Sequence, residues 1–337
     1  MKVLFIGGTG LISIACSELA IQRGMDLTIL NRSASRKHAA PQGSKLIIGD
    51  IHSDSSQLAE KLADQHFDVV VDWIAFNRED VERDIRLFSG ITDQFIFISS
   101  ASAYQKPPSN YLITEETPLE NPFWQYSRDK IDCEQCLMDE YRKNGFPVTI
   151  IRPSLTYGLS QIPMIMGSWT HPYTIVDRIR RGQEIIIPGD GTSLWVMTWN
   201  GDYAKGMLGL FGRKDAIGEA FHITSDEVLS WNQIHSALGQ AIGIAPKVVH
   251  IPSDLIAAYS EHAIGSLIGD KANSVVFDNS KIKRFVPEFK CEVPWAEGVR
   301  RALAWHDADL ERQAIDVELN QLTDRIISAY KRAYPIS

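Results

Sequence analysis

Val3-Leu4-Phe5-Ile6-Gly7-Gly8-Thr9-Gly10-Leu11-Ile12-Ser13 opens the chain with an apolar run, a glycine-rich turn and the start of a helical pattern. Val3–Ile6 reads as a buried strand, and the segment from Ile12 to Arg23, ended by Gly24, reads as a helix. Gly7 permits the tight turn between them, and Gly10 lets the backbone approach a pyrophosphate. Ser13 stands where a third glycine is usual, and its small side chain still allows close packing of helix on strand. The helix N-terminus offers unpaired N–H groups and a positive dipole end to that anion. A glycine-rich turn alone is a weak sign. Set between a first strand and a first helix, it points to dinucleotide binding rather than to a merely structural turn.

Strand and helix signals alternate through the rest of the first half. Leu27–Leu30, Lys45–Ile48, Val69–Asp72 and Gln94–Ser99 read as strands, with a polar helix over Ser55–Gln65 and another over Glu79–Phe88. A loop rich in Pro, Asn and Thr runs from Lys106 to Pro122, followed by a helix over Phe123–Asn144 and a strand at Val148–Ile151. Strands separated by helices of about 10 to 15 residues indicate βαβ units and a parallel sheet. The expected class is therefore α/β, a Rossmann-type doubly wound parallel sheet. Beyond Pro153 the pattern loosens: a turn at Gly189-Asp190-Gly191, helices over Asp202–Leu210 and Trp231–Ile242, strands at Ala220–Ile223 and Lys247–Ile251, and a charged helical stretch from Trp305 to Tyr334. The expected organisation is a dinucleotide-binding domain over 1–165, joined by about 195–225, and a smaller mixed α/β substrate-binding region over 166–337 with a long C-terminal helix. No linker separates them.

The 337 residues carry a net charge of −8, with 44% apolar and 23% charged residues, as in an ordinary globular protein. That charge repels phosphate backbones, so nucleic-acid binding would need a local basic patch. The clearest cluster, Arg178, Arg180 and Arg181, reads as a solvated helix end. Met1-Lys2 leads straight into apolar Val3–Ile6, which predicts no signal peptide, and no apolar run approaches a membrane span. The four cysteines form no disulfide framework. Cys133 and Cys136 make a C-x-x-C in mid-helix without a second ligand pair, which reads as helix packing rather than a metal or redox site. No metal is expected, and the setting expected is reducing and cytoplasmic.

Cofactor choice rests on the end of the second strand, where an acidic residue would bind the adenosine ribose. Leu30-Asn31-Arg32-Ser33 has no carboxylate and one guanidinium, which favours NADP over NAD through Arg32. The plainer reading makes Arg32 a solvated turn residue or an adenine-stacking group for either cofactor. Asp50, after the third strand, is placed to accept from the adenine amino group or to cap a helix.

Tyr126-Ser127-Arg128-Asp129-Lys130 puts a phenol and an ammonium on one helical face. A phenol with a pKa of about 10 is a poor base at neutral pH. A nearby cation favours phenolate, as does the positive charge of an oxidised nicotinamide, so Lys130 is expected to acidify Tyr126 for proton transfer. The pair follows the fifth strand, at the carboxyl edge where ligands bind in α/β sheets. Ser100, leaving that strand, is placed to hydrogen-bond the reacting oxygen or simply to cap a turn.

Gly7-x-x-Gly10, Asp50, the Ser100 segment, Tyr126-x-x-x-Lys130 and Arg152-Pro153-x-x-x-Tyr157-Gly158 occur in the order seen in the extended short-chain dehydrogenases of the NAD(P)-dependent epimerase/dehydratase family, which the chain resembles over about its first 160 residues. The resemblance implies Tyr126 as acid/base, Lys130 as holder of the nicotinamide ribose and Ser100 as orienter of substrate. It implies cofactor contacts from Gly7, Thr9, Gly10, Leu11, Ile12, Asn31, Arg32, Asp50, Ile51, Ala75, Lys130 and Pro153. It also implies a homodimer pairing the Glu79–Phe88 and Phe123–Asn144 helices. In sugar 4,6-dehydratases of this family an Asp-Glu pair follows the strand-five hydroxyl; here Ala101 and Ser102 stand there, so dehydration is not expected. Many members clamp a nucleotide diphosphate with an arginine where this chain has Trp195, and an indole cannot make bidentate phosphate contacts. Trp195, Trp199, Trp169 and Tyr173 would instead form a stacking surface for a sugar ring, with Ser102 also near substrate, unless they are core. His171, His222 and Glu115-Glu116 read as structural or solvated. The function so implied is epimerisation or oxidoreduction at a hydroxyl or ketone of a carbohydrate-like substrate. Two other readings stand beside it. Asp72-Trp73-Ile74-Ala75-Phe76 and Gly189-Asp190-Gly191 to Trp199 are similar to the chloroplast stem-loop RNA-binding branch, and an NADPH-sensing regulator without turnover would also keep the glycine turn.

Overall fold

The computed structural model describes residues 1–32, 39–53, 55–62 and 64–333. Its centre is a seven-stranded sheet of β1 (Lys2–Ile6), β2 (Asp26–Asn31), β3 (Lys45–Ile48), β4 (Val69–Asp72), β5 (Phe95–Ile98), β6 (Val148–Pro153) and β7 (Ala220–Ile223). The spatial order is β3-β2-β1-β4-β5-β6-β7, and every neighbouring pair is parallel. The alternation along β1 explains why both faces are covered. Val3 and Phe5 enter one apolar cluster with α1 (Ser13–Gln22), while Leu4 and Ile6 enter another with α2 (Ser55–Leu62), α3 (Arg78–Phe88) and α4 (Gln125–Asn144). β2 and β4 flank β1 on opposite sides, so the winding reverses there, and a crevice opens at the carboxyl ends. The doubly wound parallel sheet is the one expected from the pattern.

Helix ends follow local chemistry. Asn77 caps α3 by accepting from the Asp80 N–H, and Gly145 ends α4 at φ 75°, a left-handed conformation that glycine adopts without strain. Cys133 and Cys136 lie on the buried face of α4, where desolvation pushes the Cys133 thiol up to about 12. Among the described residues, no helix is long and apolar enough to cross a membrane, and no cluster of three acidic, His or Cys groups could hold a metal.

Outside the sheet, short strand pairs build a third apolar cluster. Glu184–Pro188 runs parallel to Lys247–Ile251, Leu194–Val196 antiparallel to Val228–Ser230, and Leu112–Ile113 parallel to Val276–Phe277. Asn200 ties this region to the first by donating to the Leu11 carbonyl at 2.8 Å. Two expectations fail here. The charged C-terminal stretch is not one helix: Trp295–Asp307 ends, a short 3₁₀ turn spans Leu310–Gln313, and a new helix runs over Val317–Ala333. Asp309 caps the turn and Asp316 accepts from Leu319 N–H, side-chain acceptors that stop one helix and start the next. Arg178 is not solvated either. It is buried and donates to the Glu184 carbonyl, Asn320 and Asp324, anchoring the last helix. Ser33 and Tyr334 lie outside the described residues.

Candidate active site

The carboxyl ends of β1, β4, β5 and β6 open into one cavity of about 800 Å³. Its floor is the turn after β1. Gly7 has φ 95° and Gly8 φ 105°, and a Cβ on Gly7 would meet Trp73 and Ile74 at 3.2 Å. A side chain there would be both strained and crowded. Ser17 donates to the Gly8 carbonyl and Ser13 Oγ accepts from the Gly10 N–H, so hydroxyls on the first turns of α1 hold the loop closed. Beside it, Leu30, Asn31 and Arg32 at the end of β2, and Gly49, Asp50 and Ile51 after β3, line the same cavity. Arg32 lies 3.8 Å from Asp50 with its side chain 72% exposed. A bare backbone turn at a helix N-terminus, in a cleft long enough to reach strands two and three, fits a dinucleotide.

Ser100, Tyr126 and Lys130 meet in the wall of this cavity. Lys130 is buried, with its ammonium 2.6 Å from the Ala75 carbonyl, 2.7 Å from the Ile98 carbonyl and 5.9 Å from the Tyr126 ring centre. Burial pulls the Lys130 ammonium down to about 8. Tyr126 shifts the other way: burial raises the phenol, a hydrogen bond to Ser100 lowers it, and the Asp270 carboxylate raises it again. The expected acidification by Lys130 does not emerge: burial is the largest influence on the phenol, and the ammonium is engaged by the Ala75 and Ile98 carbonyls. Ser100 Oγ lies 2.9 Å from Ser102 Oγ, which accepts from Ser127 Oγ at 2.8 Å. A chain of hydroxyls therefore runs from the base of α4 to the phenol.

The frame behind these groups is ionic. Asp72, ending β4, accepts from the Ile74 and Ala75 N–H groups and so sets the carbonyl that holds Lys130. Asp84 on α3 faces Asp72, and burial with that second carboxylate raises it well above the usual carboxylate range, while Arg83, 2.9 Å from Asp84, pulls it down. Behind β5, Glu134 accepts from Ser99 and from two nitrogens of Arg152, at 2.9 Å and 2.6 Å.

The model of the NAD dependent epimerase/dehydratase family matches residues 3–224. This chain belongs to that family. Among its epimerase/dehydratase relatives, a chloroplast stem-loop binding protein of 41 kDa from Arabidopsis thaliana is 26% identical over 262 residues, covering 74% of this chain and 65% of that protein, just under two thirds of its length. A putative UDP-glucose 4-epimerase from Methanocaldococcus jannaschii is 25% identical over 321 residues, 90% of this chain and 97% of the other. The fold is shared with an epimerase from Methanothermobacter thermautotrophicus (TM-score 0.75, 17% identity, 92% and 93% of the two chains). It is shared too with UDP-glucuronic acid 4-epimerase from Bacillus cereus in complex with NAD (TM-score 0.73, 20% identity, 95% and 100%).

Within this epimerase/dehydratase frame most of the residues singled out in the sequence come together. Gly7, Thr9, Gly10, Leu11, Ile12, Asn31, Arg32, Asp50, Ile51, Pro153, Ser100, Ser102, Tyr126, Lys130 and Trp195 all line the cavity. Ala75 contributes through its carbonyl on Lys130 instead. Of the four aromatics expected as a stacking surface, Trp169 and Trp195 line it. Trp199 packs edge-on against Tyr157 in the core of the second region. Tyr173 is buried away from the cleft, its hydroxyl donating to Asp307 and meeting Arg180, which an apolar cluster outside the sheet required. Glu115 is not solvated: its side chain is nearly buried and accepts from the His222 N–H, in a pocket whose charge Arg152 offsets. His222 is fully buried between Tyr104 and the Asp278 carbonyl, a structural placement. Sequence reasoning missed Trp73, Phe76, Trp124, Lys106, Asp270 and Lys271, all lining the cavity. Only the doubled glycine at Gly7-Gly8 hinted at the crowding that Trp73 creates.

Proposed function

We propose that this protein is a nicotinamide-dependent epimerase or oxidoreductase acting at a hydroxyl or ketone of a carbohydrate-like molecule, with Tyr126 as acid/base. The observation that carries this reading is the meeting of Ser100, Tyr126 and Lys130 in one cavity with the bare turn at Gly7. A nicotinamide dinucleotide held there would accept or donate a hydride, which gives an epimer where the hydride returns to the opposite face, and net oxidation or reduction where the product leaves first. The turn from Gly8 to Ile12 would hold the pyrophosphate through backbone N–H groups other than that of Gly10, which donates to Ser13 Oγ, and Lys130 keeps one N–H beyond its two carbonyls for the ribose. Ser100 donates to the reacting oxygen; as a phenolate Tyr126 takes the proton of a substrate hydroxyl, and as the neutral phenol that burial favours it returns that proton to a ketone oxygen. Arg32 stands where a 2′-phosphate would sit, which favours NADP. Ala101 and Ser102 offer no acid for elimination of water, so dehydration is not part of the proposal.

Tyr126→Phe is expected to lower turnover by about 10²-fold or more, the scale of lost general acid/base catalysis, with cofactor affinity nearly intact. Near-normal turnover in that variant, measured with any substrate the wild type converts, removes Tyr126 from the mechanism. A second reading has one observation behind it, the likeness to the chloroplast stem-loop binding protein. Salt-dependent retention on RNA is its test, and the net charge of −8 argues against it.

A further inference from the structure

Hydride chemistry does not account for one group of charges in the cavity. Lys106, from the loop after β5, and Asp270-Lys271, from the second region, line it together with Trp124, Trp195 and Tyr126. Lys106 is almost wholly buried, its side chain 2% exposed, and its ammonium lies 3.4 Å from one oxygen of Asp270. The Lys271 ammonium lies 3.1 Å from the other oxygen of the same carboxylate. Two ammoniums therefore share one carboxylate, which leaves one positive charge without a counter-charge among the described residues, in a mostly desolvated place. Burial and Lys271 both disfavour the charged form of Lys106, while Asp270 alone supports it. Trp195 lies beneath both cations, at 5.7 Å from Lys106 and 5.9 Å from Lys271, and Trp124 lies 5.8 Å from Lys271. Indole faces attract the cations but cannot neutralise them. Such an excess is costly unless an anion completes it.

We infer that Lys106 and Lys271 form a binding site for a single oxyanion group on the substrate, a carboxylate or a phosphate monoester, next to the reacting position. Its position follows from the rings: Trp124 contacts Tyr126 at a ring separation of 5.0 Å, so Lys271 is one indole away from the phenol. An acidic sugar or a sugar phosphate would set its anion on the two ammoniums, its ring against the indoles and its hydroxyl on Tyr126. Lysines act here as point charges for one compact anion. Among the described residues lining the cavity, the one arginine is Arg32, beside Asp50, so the substrate end has no guanidinium fork for a diphosphate.

The inference rests on the proposed function, and its test keeps the two separable. Dinucleotide affinity is measured first and by itself; a failure there overturns the hydride reading and is read from that titration alone. The cofactor-saturated protein is then titrated calorimetrically with inorganic phosphate, D-glucuronate and neutral D-glucose. At least one of the two anions is expected to bind ten-fold or more tightly than glucose, and which one identifies the carboxylate or the phosphate as the source. Lys271→Gln is expected to weaken that anion ten-fold or more and Lys271→Arg to restore most of it, with dinucleotide affinity unchanged in both. The inference is overturned if neither anion binds better than glucose, if Lys271→Gln leaves anion affinity as it was, or if the anion binds only to cofactor-free wild-type protein and dinucleotide displaces it, which would place it at the Gly7 turn instead.

Discussion

At the residue scale, Lys130 is a buried cation whose work depends on its proton. With its value near 8 in the folded protein and about 10.4 in an unfolded chain, the fold binds that proton less tightly than the unfolded state. At neutral pH the charge therefore costs stability, and that cost is relieved as pH rises from about 8 towards the unfolded value. Binding runs in the opposite direction, because a dinucleotide ribose and its phosphates favour the ammonium. Cofactor affinity is expected to weaken as pH climbs through about 8, with proton uptake on binding, and fluorescence titration across that range checks it. In Lys130→Met the slope should vanish. A pH-independent affinity in the wild type would contradict this role. The sequence made Tyr126, Lys130, Ser100 and the glycines legible, because each sits at a fixed offset from a strand end. It did not reveal which way Tyr126 shifts, since that depends on burial in the folded protein and on Asp270, which lies far away along the chain.

At the element scale, the site is rigid because α3 and α4 are locked to the sheet by buried carboxylates. Burial beside the Asp72 carboxylate raises Asp84 well above the usual carboxylate range, against the pull of the Arg83 guanidinium 2.9 Å away. A group raised on folding contributes stability that fades as pH climbs from the ordinary carboxylate range towards its folded value. Asp84→Asn removes that titrating group while keeping an acceptor for Arg83, and is expected to give a flatter pH dependence in urea denaturation. Glu134 is the contrasting case. Glu134→Ala leaves the buried Arg152 without its counter-charge, and a loss of about 3–5 kcal/mol is expected by the same method. These locks were not readable in advance. Asp72, Asp84, Glu134 and Arg152 are ordinary polar residues in sequence, and only the pairing of β4 with β5 and of α3 with α4 brings them face to face. Periodicity gave the elements themselves, since the apolar runs at Val3, Val69 and Phe95 needed both faces covered. It merged the last two helices because helical patterning is indifferent to a short capped break.

At the scale of the molecule, the sheet supplies the dinucleotide cleft and the second region supplies its opposite wall. They are coupled where the Leu11 carbonyl receives Asn200 and where Tyr157 packs against Gly298 on the Trp295–Asp307 helix. A Cβ on Gly298 would overlap the Tyr157 hydroxyl, so Gly298→Ala is expected to lower stability by about 1–3 kcal/mol and to weaken substrate more than dinucleotide. Thermal denaturation with and without cofactor separates the two effects. The central claim, that the Gly7 turn and Lys130 form a dinucleotide site, is tested most directly by titrating NADPH and NADH into the protein and following indole fluorescence from Trp73 beside the turn. Saturable quenching is expected, tighter for NADPH, and lost or at least ten-fold weaker in Gly7→Val, where the added side chain is strained at positive φ and meets Trp73 and Ile74. Absence of saturable binding in wild-type protein, or equal binding in Gly7→Val, would contradict the account.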